Sequence, residues 1–580
     1  MFRSFQIHSS DSDALVTIQQ TGCENSVYTY RIDVSFPDVR IPSPIQILWE
    51  EDMLDLLHVW TAGAGFQHMH QWFSPTANHS RFCCGAPILC TMGEHGRNRQ
   101  TISVSDVNSP IELRFYIKDL EQRDKVGYGI QLFTQKCDAI QNYSTQFRID
   151  CRDIPYYESI QSVNSWWKSC GYIFPACPKE AEDPLYSSWY NFHQAPEQHA
   201  LLQDLKIASQ LGFKTVILDD GWQFDGPSTG NYATCGEWTV AESKFPDFKG
   251  FSDQVHDLGM KLIVWFAVPF IGEDSSLYSR FQGKYLSYSK FNRCATLDPR
   301  YPEVRQYLID TYRNFLIRYN IDGFKLDFID SFQPGELTGE YNPALMDCQT
   351  TDEAVQKLLT EIESDLSKIK SNLLFEYRQF YIGPAINRFG NMLRVCDCAY
   401  ESHYNKLGMV NLRLLNYPIA IHSDMLLWSR EERISLCARQ LLNILFSVPQ
   451  ISVLLANSTE EQKQLLQHFN RYWLENRQIL LHGRFIPLHP ELNYSQISAE
   501  SDRKRITVLY GNTPLTWDGM DWDIFLNAGE DDLFFENPTN TLLHVIIFDH
   551  FGNEIQKTTI AANSLVRLNV GNTGMARIFK

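Results

Sequence analysis

At 580 residues the chain is long enough for about three domains, although a β/α barrel takes roughly 250 residues alone. Its formal net charge of -18 excludes nucleic acid and anionic membrane surfaces as natural partners, because both need clustered Lys and Arg, and solubility accounts for such a charge. The hydrophobic share of 44% is that of an ordinary globular protein; the 13% aromatic share suits sugar binding, although core packing explains most of those rings.

Residues 1 to about 175 read as β-rich. Short alternating runs such as ALVTIQQ, SVYTYRIDVSF, IQILWE, IELRFYIKD and YGIQLFTQ are separated by turn residues, which predicts an N-terminal β-sandwich over 1–175. The first residues, MFRSFQIHSSDSDAL, contain no apolar signal-peptide core, and no stretch approaches the ~20 apolar residues of a membrane span. The 14 cysteines show no zinc-type spacing and read mostly as reduced thiols. A cytoplasmic, uncleaved protein is expected, with no metal.

Over 176–487 apolar strand-like runs alternate with amphipathic helical stretches. The strand candidates are 187–192, 215–220, 262–268, 324–329, 373–378, 393–398, 418–424 and 450–455. Eight strands alternating with helices predict a closed parallel TIM (β/α)8 barrel, and strands apolar on both faces are what its buried sheet requires. Residues 488–580 return to β texture and predict a small C-terminal β-sandwich.

The C-terminal strand ends of such a barrel form one face, so polar residues there converge on one pocket. Asp219 and Asp220 end the second strand, and Trp265 lies on the third. Lys325 and Asp327 lie on the fourth, two apart and therefore on one face. Glu376 and Arg378 end the fifth, Asp397 the sixth, and His422 and Asp424 the seventh. A lone Asp after a strand is ordinarily a turn or cap residue, but a Lys inside a buried strand needs an anion or polar ligand. Carboxylates gathered with Trp and Arg at a barrel mouth suit acetal cleavage, which needs one carboxylate near the anomeric carbon and one acid at the leaving oxygen. There is no HExxH motif, and no phosphate-cradling glycine loop follows the last strands.

At LDDGWQ, WFAVPF, GFKLDF and RVCDC the sequence resembles glycoside hydrolase family thirty-six, the α-galactosidases, in clan D. The resemblance implies a retaining exo-glycosidase for terminal α-galactosides that needs no cofactor. It implies Asp327 as nucleophile and Asp397 as general acid/base, with Glu401 as competitor for the second role. It gives Asp219 and Asp220 the 4- and 6-hydroxyls, Lys325 the 3- and 4-hydroxyls, and Arg394 a place near the 2-hydroxyl. Trp265, Trp222 and Trp189 are its pocket aromatics, and His422 and Asp424 its further rim residues. The run FEYRQFYIGP departs from the family, placing Glu376 and Arg378 where small residues face the 2-position. Lys325 should favour ionised Asp327, and the surroundings of Asp397 should raise its pKa. Cys396 and Cys398 should point away from Asp397 if the strand is regular. The alternatives are another α-glycoside such as an α-N-acetylgalactosaminide, transglycosylation, or a non-catalytic sugar-binding protein. A homo-oligomer would be ordinary at this size, but the sequence identifies no interface.

Overall fold

A computed structural model of the protein describes residues 4–62, 65–68, 76–117, 124–137, 139–225 and 230–580. The last two residues of the run IELRFYIKD lie outside the described residues.

The N-terminal region is two antiparallel-paired sheets of five and seven strands. The long strand Val27–Arg40 buries Tyr30, Ile32, Val34 and Phe36, every second residue, against Ile45, Ile47 and Trp49 of the facing sheet. Helix Tyr156–Ser169 then ties the sandwich to the barrel: Trp167 Nε1 donates to Val104 O at 2.9 Å, and Asn164 Nδ2 donates to Asn416 O at 2.5 Å.

The central sheet has eight strands, all parallel: Leu185–Ser187, Thr215–Leu218, Lys261–Ala267, Gly323–Asp327, Leu374–Arg378, Met392–Arg394, Ala420–His422 and Gln450–Ile451. The bridges His422↔Val448 and Leu426↔Ile451 join the seventh strand to the eighth and complete the ring. Helix Pro302–Tyr319 shows why the layers hold together. Proline occupies its first turn, Val304, Leu308, Tyr312, Phe315 and Tyr319 form its buried stripe, and Asn320 ends it in the left-handed region at φ 52°. That stripe packs on Phe266, which points out of the barrel while Trp265 points in.

The barrel strands are shorter than their sequence pattern. The first ends at Ser187, and Trp189 begins a short helix, Trp189–Phe192. The sixth ends at Arg394, so Asp397 lies on the loop beyond it, and strand alternation does not govern Cys396 and Cys398. A three-stranded antiparallel sheet, Phe270–Gly272, Tyr285–Ser289 and Cys294–Leu297, is inserted after the third strand. Its strands of three to five residues leave no periodic signal. The C-terminal region holds sheets of seven and three strands around Trp522, Ile524, Phe535 and Val545. Cys83, Cys90, Cys235, Cys294, Cys348 and Cys437 are buried thiols outside any disulfide. No helix among the described residues is long and apolar enough to cross a membrane.

Candidate active site

Asp327 is the last residue of the fourth strand, and its carboxylate is held on both oxygens. Trp265 Nε1 donates to Oδ2 at 3.0 Å, Arg378 Nε donates to Oδ1 at 2.5 Å, and the Phe328 backbone N–H donates to Oδ1 at 2.8 Å. Burial alone would raise its pKa. The Arg378 and Lys325 charges and the hydrogen bonds from Arg378 and Trp265 outweigh burial, so the carboxyl lies well below the usual carboxylate range. Arg378 lies over the Phe328 and Tyr381 rings and also reaches Asp330 at 3.4 Å. Neither that clamp nor Asp330 was visible in sequence, because cross-strand partners depend on register.

Lys325 is buried and donates to Asp219 Oδ2 at 2.7 Å. It acts on Asp327 through its charge, while its direct partner directly follows the second strand. Burial works against its ammonium, and the charges of Asp219, Asp327 and Glu376 more than compensate, so its pKa is raised. Asp220 accepts from Gln194 Nε2 and Gln223 Nε2, each at 2.7 Å. Burial pushes its pKa up to about 6 against those two hydrogen bonds, with the Asp219 and Asp327 charges adding to the rise. Gln223 belongs to the quoted LDDGWQ run; Gln194 carried no signal. The chain turns at Gly221, at φ 110°, where a Cβ would come within 2.5 Å of the Gln194 backbone.

Arg394 is fully buried and serves three carboxylates: Asp424 Oδ1 at 2.5 Å, Asp397 Oδ1 at 2.8 Å and Glu376 Oε1 at 3.3 Å. Asp397 is 55% exposed, whereas Asp424 is wholly buried and also accepts from Tyr190 Oη and the Cys398 N–H, both at 2.7 Å. Burial pulls the Asp397 pKa up, but the Arg394 and Lys325 charges prevail and lower it. This corrects the expected rise. The negative charge of Asp327 opposes that lowering, which places the two carboxylates within each other's field. Burial raises the pKa of Asp424, so the proton of the pair sharing Arg394 resides more readily there. Glu401 is exposed at the start of helix Ser402–Leu414, and Arg394 bonds Asp397.

Four further expectations are corrected. Trp222 is fully buried in an aromatic layer with Phe266, Phe248 and Phe315, and its indole N–H donates to Trp265 O at 3.0 Å; it is a packing residue behind the barrel wall. His422 is no rim residue. Its Nε2 lies 2.8 Å from Ala181 O and its Nδ1 3.1 Å from Gln450 Nε2, and burial lowers its pKa to about 3, so it is neutral. Glu376 is likewise interior, accepting from Gln450 Nε2 at 2.7 Å, and burial raises its pKa. Asp424 is buried beneath Asp397, tied to Arg394, and does not reach the rim. Trp189 is partly exposed, edge-on to His193 with ring centres 5.2 Å apart, and the Tyr232 ring lies 6.1 Å from Trp265 at 26°. Among the described residues no cluster of metal-ligating side chains is present.

A family model described as melibiase matches residues 179–376, which run from the entry to the barrel into the fifth strand. α-Galactosidase Mel36A of Lactobacillus acidophilus is 29% identical over 146 residues, covering 25% of this chain and 19% of the relative. The bifunctional α-galactosidase/sucrose kinase AgaSK of Mediterraneibacter gnavus is 33% identical over 151 residues, covering 25% of this chain and 16% of the relative. The aligned stretch therefore spans less than a fifth of each relative's length. In fold, the chain is similar to the GH36 α-galactosidase AgaA of Geobacillus stearothermophilus, solved as a variant in complex with raffinose. The TM-score is 0.69 at 15% identity, over 98% of this chain and 81% of that one. The melibiase segment holds Asp219 and Asp220, directly after the second barrel strand, Trp265 on the third, and Lys325 and Asp327 on the fourth, and the chain adopts the fold of that enzyme. The chain is thus similar in its barrel sequence to the melibiase family and in its fold to the α-galactosidases of glycoside hydrolase family thirty-six.

Proposed function

We propose that the protein is a retaining exo-glycoside hydrolase that removes terminal α-galactosyl residues from oligosaccharides or other glycosides. The observation that carries this reading is Asp327: a buried carboxylate at a barrel strand end, held ionised and oriented by Trp265, Arg378 and Lys325. An ionised, oriented carboxylate is what attack on an anomeric carbon requires.

In the first step an Asp327 oxygen forms a bond to the anomeric carbon while the glycosidic C–O bond breaks. Asp397 gives its proton to the leaving oxygen. In the second step Asp397 takes a proton from water, the water oxygen bonds to the anomeric carbon, and the Asp327 ester breaks. Asp397 is ionised in the free protein, so the bound glycoside must lift its pKa before the first step. A sugar seated on this half-exposed side chain removes water from it, and burial disfavours the charged form. Asp219 and Asp220 accept from sugar hydroxyls and Lys325 donates to them, with Trp189 at the rim. Arg394 orients Asp397. A cytoplasmic location is part of the proposal, supported by buried thiols such as Cys83, Cys90 and Cys235 that form no disulfide.

A second reading keeps the chemistry and changes the sugar or the acceptor. Arg378, bound to Asp327 on the side expected to face the sugar's 2-position, favours it. A panel of aryl α-glycosides, with and without an acceptor sugar, separates the two. For the main reading, Asp327→Gly should abolish release of galactose from an aryl α-galactoside, and added azide should yield the β-galactosyl azide. Wild-type turnover in that variant would overturn it.

A further inference from the structure

A cavity of about 490 Å³ lies at the opposite end of the barrel from Asp327, where the seventh strand begins. Helix Tyr156–Ser169, the segment Arg413–Ile421 and the residues His482–Phe485 enclose it. Arg413 lines it and is 8% exposed. The guanidinium lies over the Phe485 ring at 4.5 Å, and Nη1 is used by the carbonyls of Phe446 and Leu480, at 2.5 and 2.8 Å. Its Nε and Nη2 carry no hydrogen bond, and it has no carboxylate partner, among the described residues. That pair of N–H groups is the side-on fork that matches two oxygens of a carboxylate or phosphate.

A buried arginine without a counter-ion is costly, because desolvation of its charge is not offset. Burial lowers its pKa to about 10, which leaves it charged at neutral pH. Two further wall atoms, Asn164 Oδ1 and Tyr417 Oη, are buried with no hydrogen-bond partner. The other charged groups of the wall are Lys168, Arg484, His482 and Glu182. Glu182 lies 2.8 Å from His482, and Arg484 pairs with Glu158 and Glu500, so no wall carboxylate is left over for Arg413.

We propose that this cavity binds a small metabolite bearing an oxyanion head, phosphate or carboxylate, which the free edge of Arg413 holds. The site is separate from the carboxylates at the barrel mouth and does not rest on the glycosidase reading.

The test is calorimetric titration of the full chain with inorganic phosphate and with malonate at constant ionic strength. Saturable binding of either is expected, and the tighter one identifies the head group. Arg413→Gln should weaken it by about tenfold or more, as expected for a lost charge-assisted fork. Ser165→Glu places a negative charge on an exposed position of the same wall, keeps the arginine in its packing, and should weaken binding severalfold. Asp327→Ala should leave binding unchanged. The proposal is overturned if neither anion binds saturably at millimolar concentration, or if affinity is the same in wild type, Arg413→Gln and Ser165→Glu. It is also overturned if Asp327→Ala abolishes binding.

Discussion

Arg378, the last residue of the fifth strand, donates its Nε–H to Oδ1 of Asp327, the last residue of the fourth, at 2.5 Å. The contact makes Asp327 a weaker base and a better leaving carboxylate. In the mechanism proposed above it should slow formation of the glycosyl ester and speed its hydrolysis. The pKa of Asp327 is lower in the folded chain than in the unfolded one, so the ionised form is favoured above the unfolded value and this is lost only as pH falls through the folded value. Arg378→Gln removes the largest lowering influence and leaves burial in place. The acidic limb of kcat, read at saturating sugar, should then move up by about one to two pH units. An unmoved limb would show that Arg378 does not govern the ionisation of Asp327.

Much of this site was legible in the sequence. Lys325 and Asp327 stand two apart on a buried strand, and Asp219–Asp220 directly follow the end of another, so barrel topology alone brings them to one mouth. What topology cannot give is depth and register. Arg394 is in register with both Arg378 and His422, yet Arg378 reaches Asp327 while His422 bonds downward to Ala181. Trp222 shares a motif with the two aspartates, but the turn at Gly221 carries it behind the wall onto Phe266. The sixth strand ends three residues before Asp397, so the freedom of that carboxyl had no periodic trace.

That freedom makes a second prediction. If Asp397 protonates the leaving oxygen, Asp397→Asn should depend on how much protonation the leaving group needs. Turnover of a dinitrophenyl α-galactoside should fall far less than turnover of raffinose, by a ratio of about a hundredfold or more. Azide should rescue the variant and give the α-azide, the opposite anomer from Asp327→Gly. Equal losses on both substrates would remove Asp397 from the acid role and turn attention to Glu401.

The Lys325–Asp219 pair makes a third. Both are buried, and removing one partner leaves the other's charge without compensation in a low-dielectric site. Lys325→Met should destabilise the chain by about 3–5 kcal/mol in denaturant unfolding. Combining it with Asp219→Asn should recover more than half of that loss, because the orphaned charge is gone. Additive losses in the double variant would mean that the two side chains do not depend on each other.

Asp220 ties function to stability. Its folded pKa of about 6 lies above the usual 3.8, so the folded chain holds this proton more tightly than the unfolded one. Below pH 3.8 the group is neutral in both states and makes no difference. Between pH 3.8 and about 6 the unfolded chain gives up this proton while the folded chain keeps it, so stability falls by about 3 kcal/mol; above about 6 the folded chain bears the buried charge and the loss persists at neutral pH. Asp220→Asn removes the charge but costs one of the two glutamine hydrogen bonds. Its thermal midpoint should therefore exceed wild type at pH 8 and converge with it at pH 4. If Asp220 accepts from a sugar hydroxyl as proposed, protonation near pH 6 weakens that acceptor in the wild type, so KM should rise as pH falls through that value while kcat changes less. In Asp220→Asn, KM should be high and nearly flat with pH. A KM that rises through pH 6 in the variant as it does in wild type would assign the transition to another group.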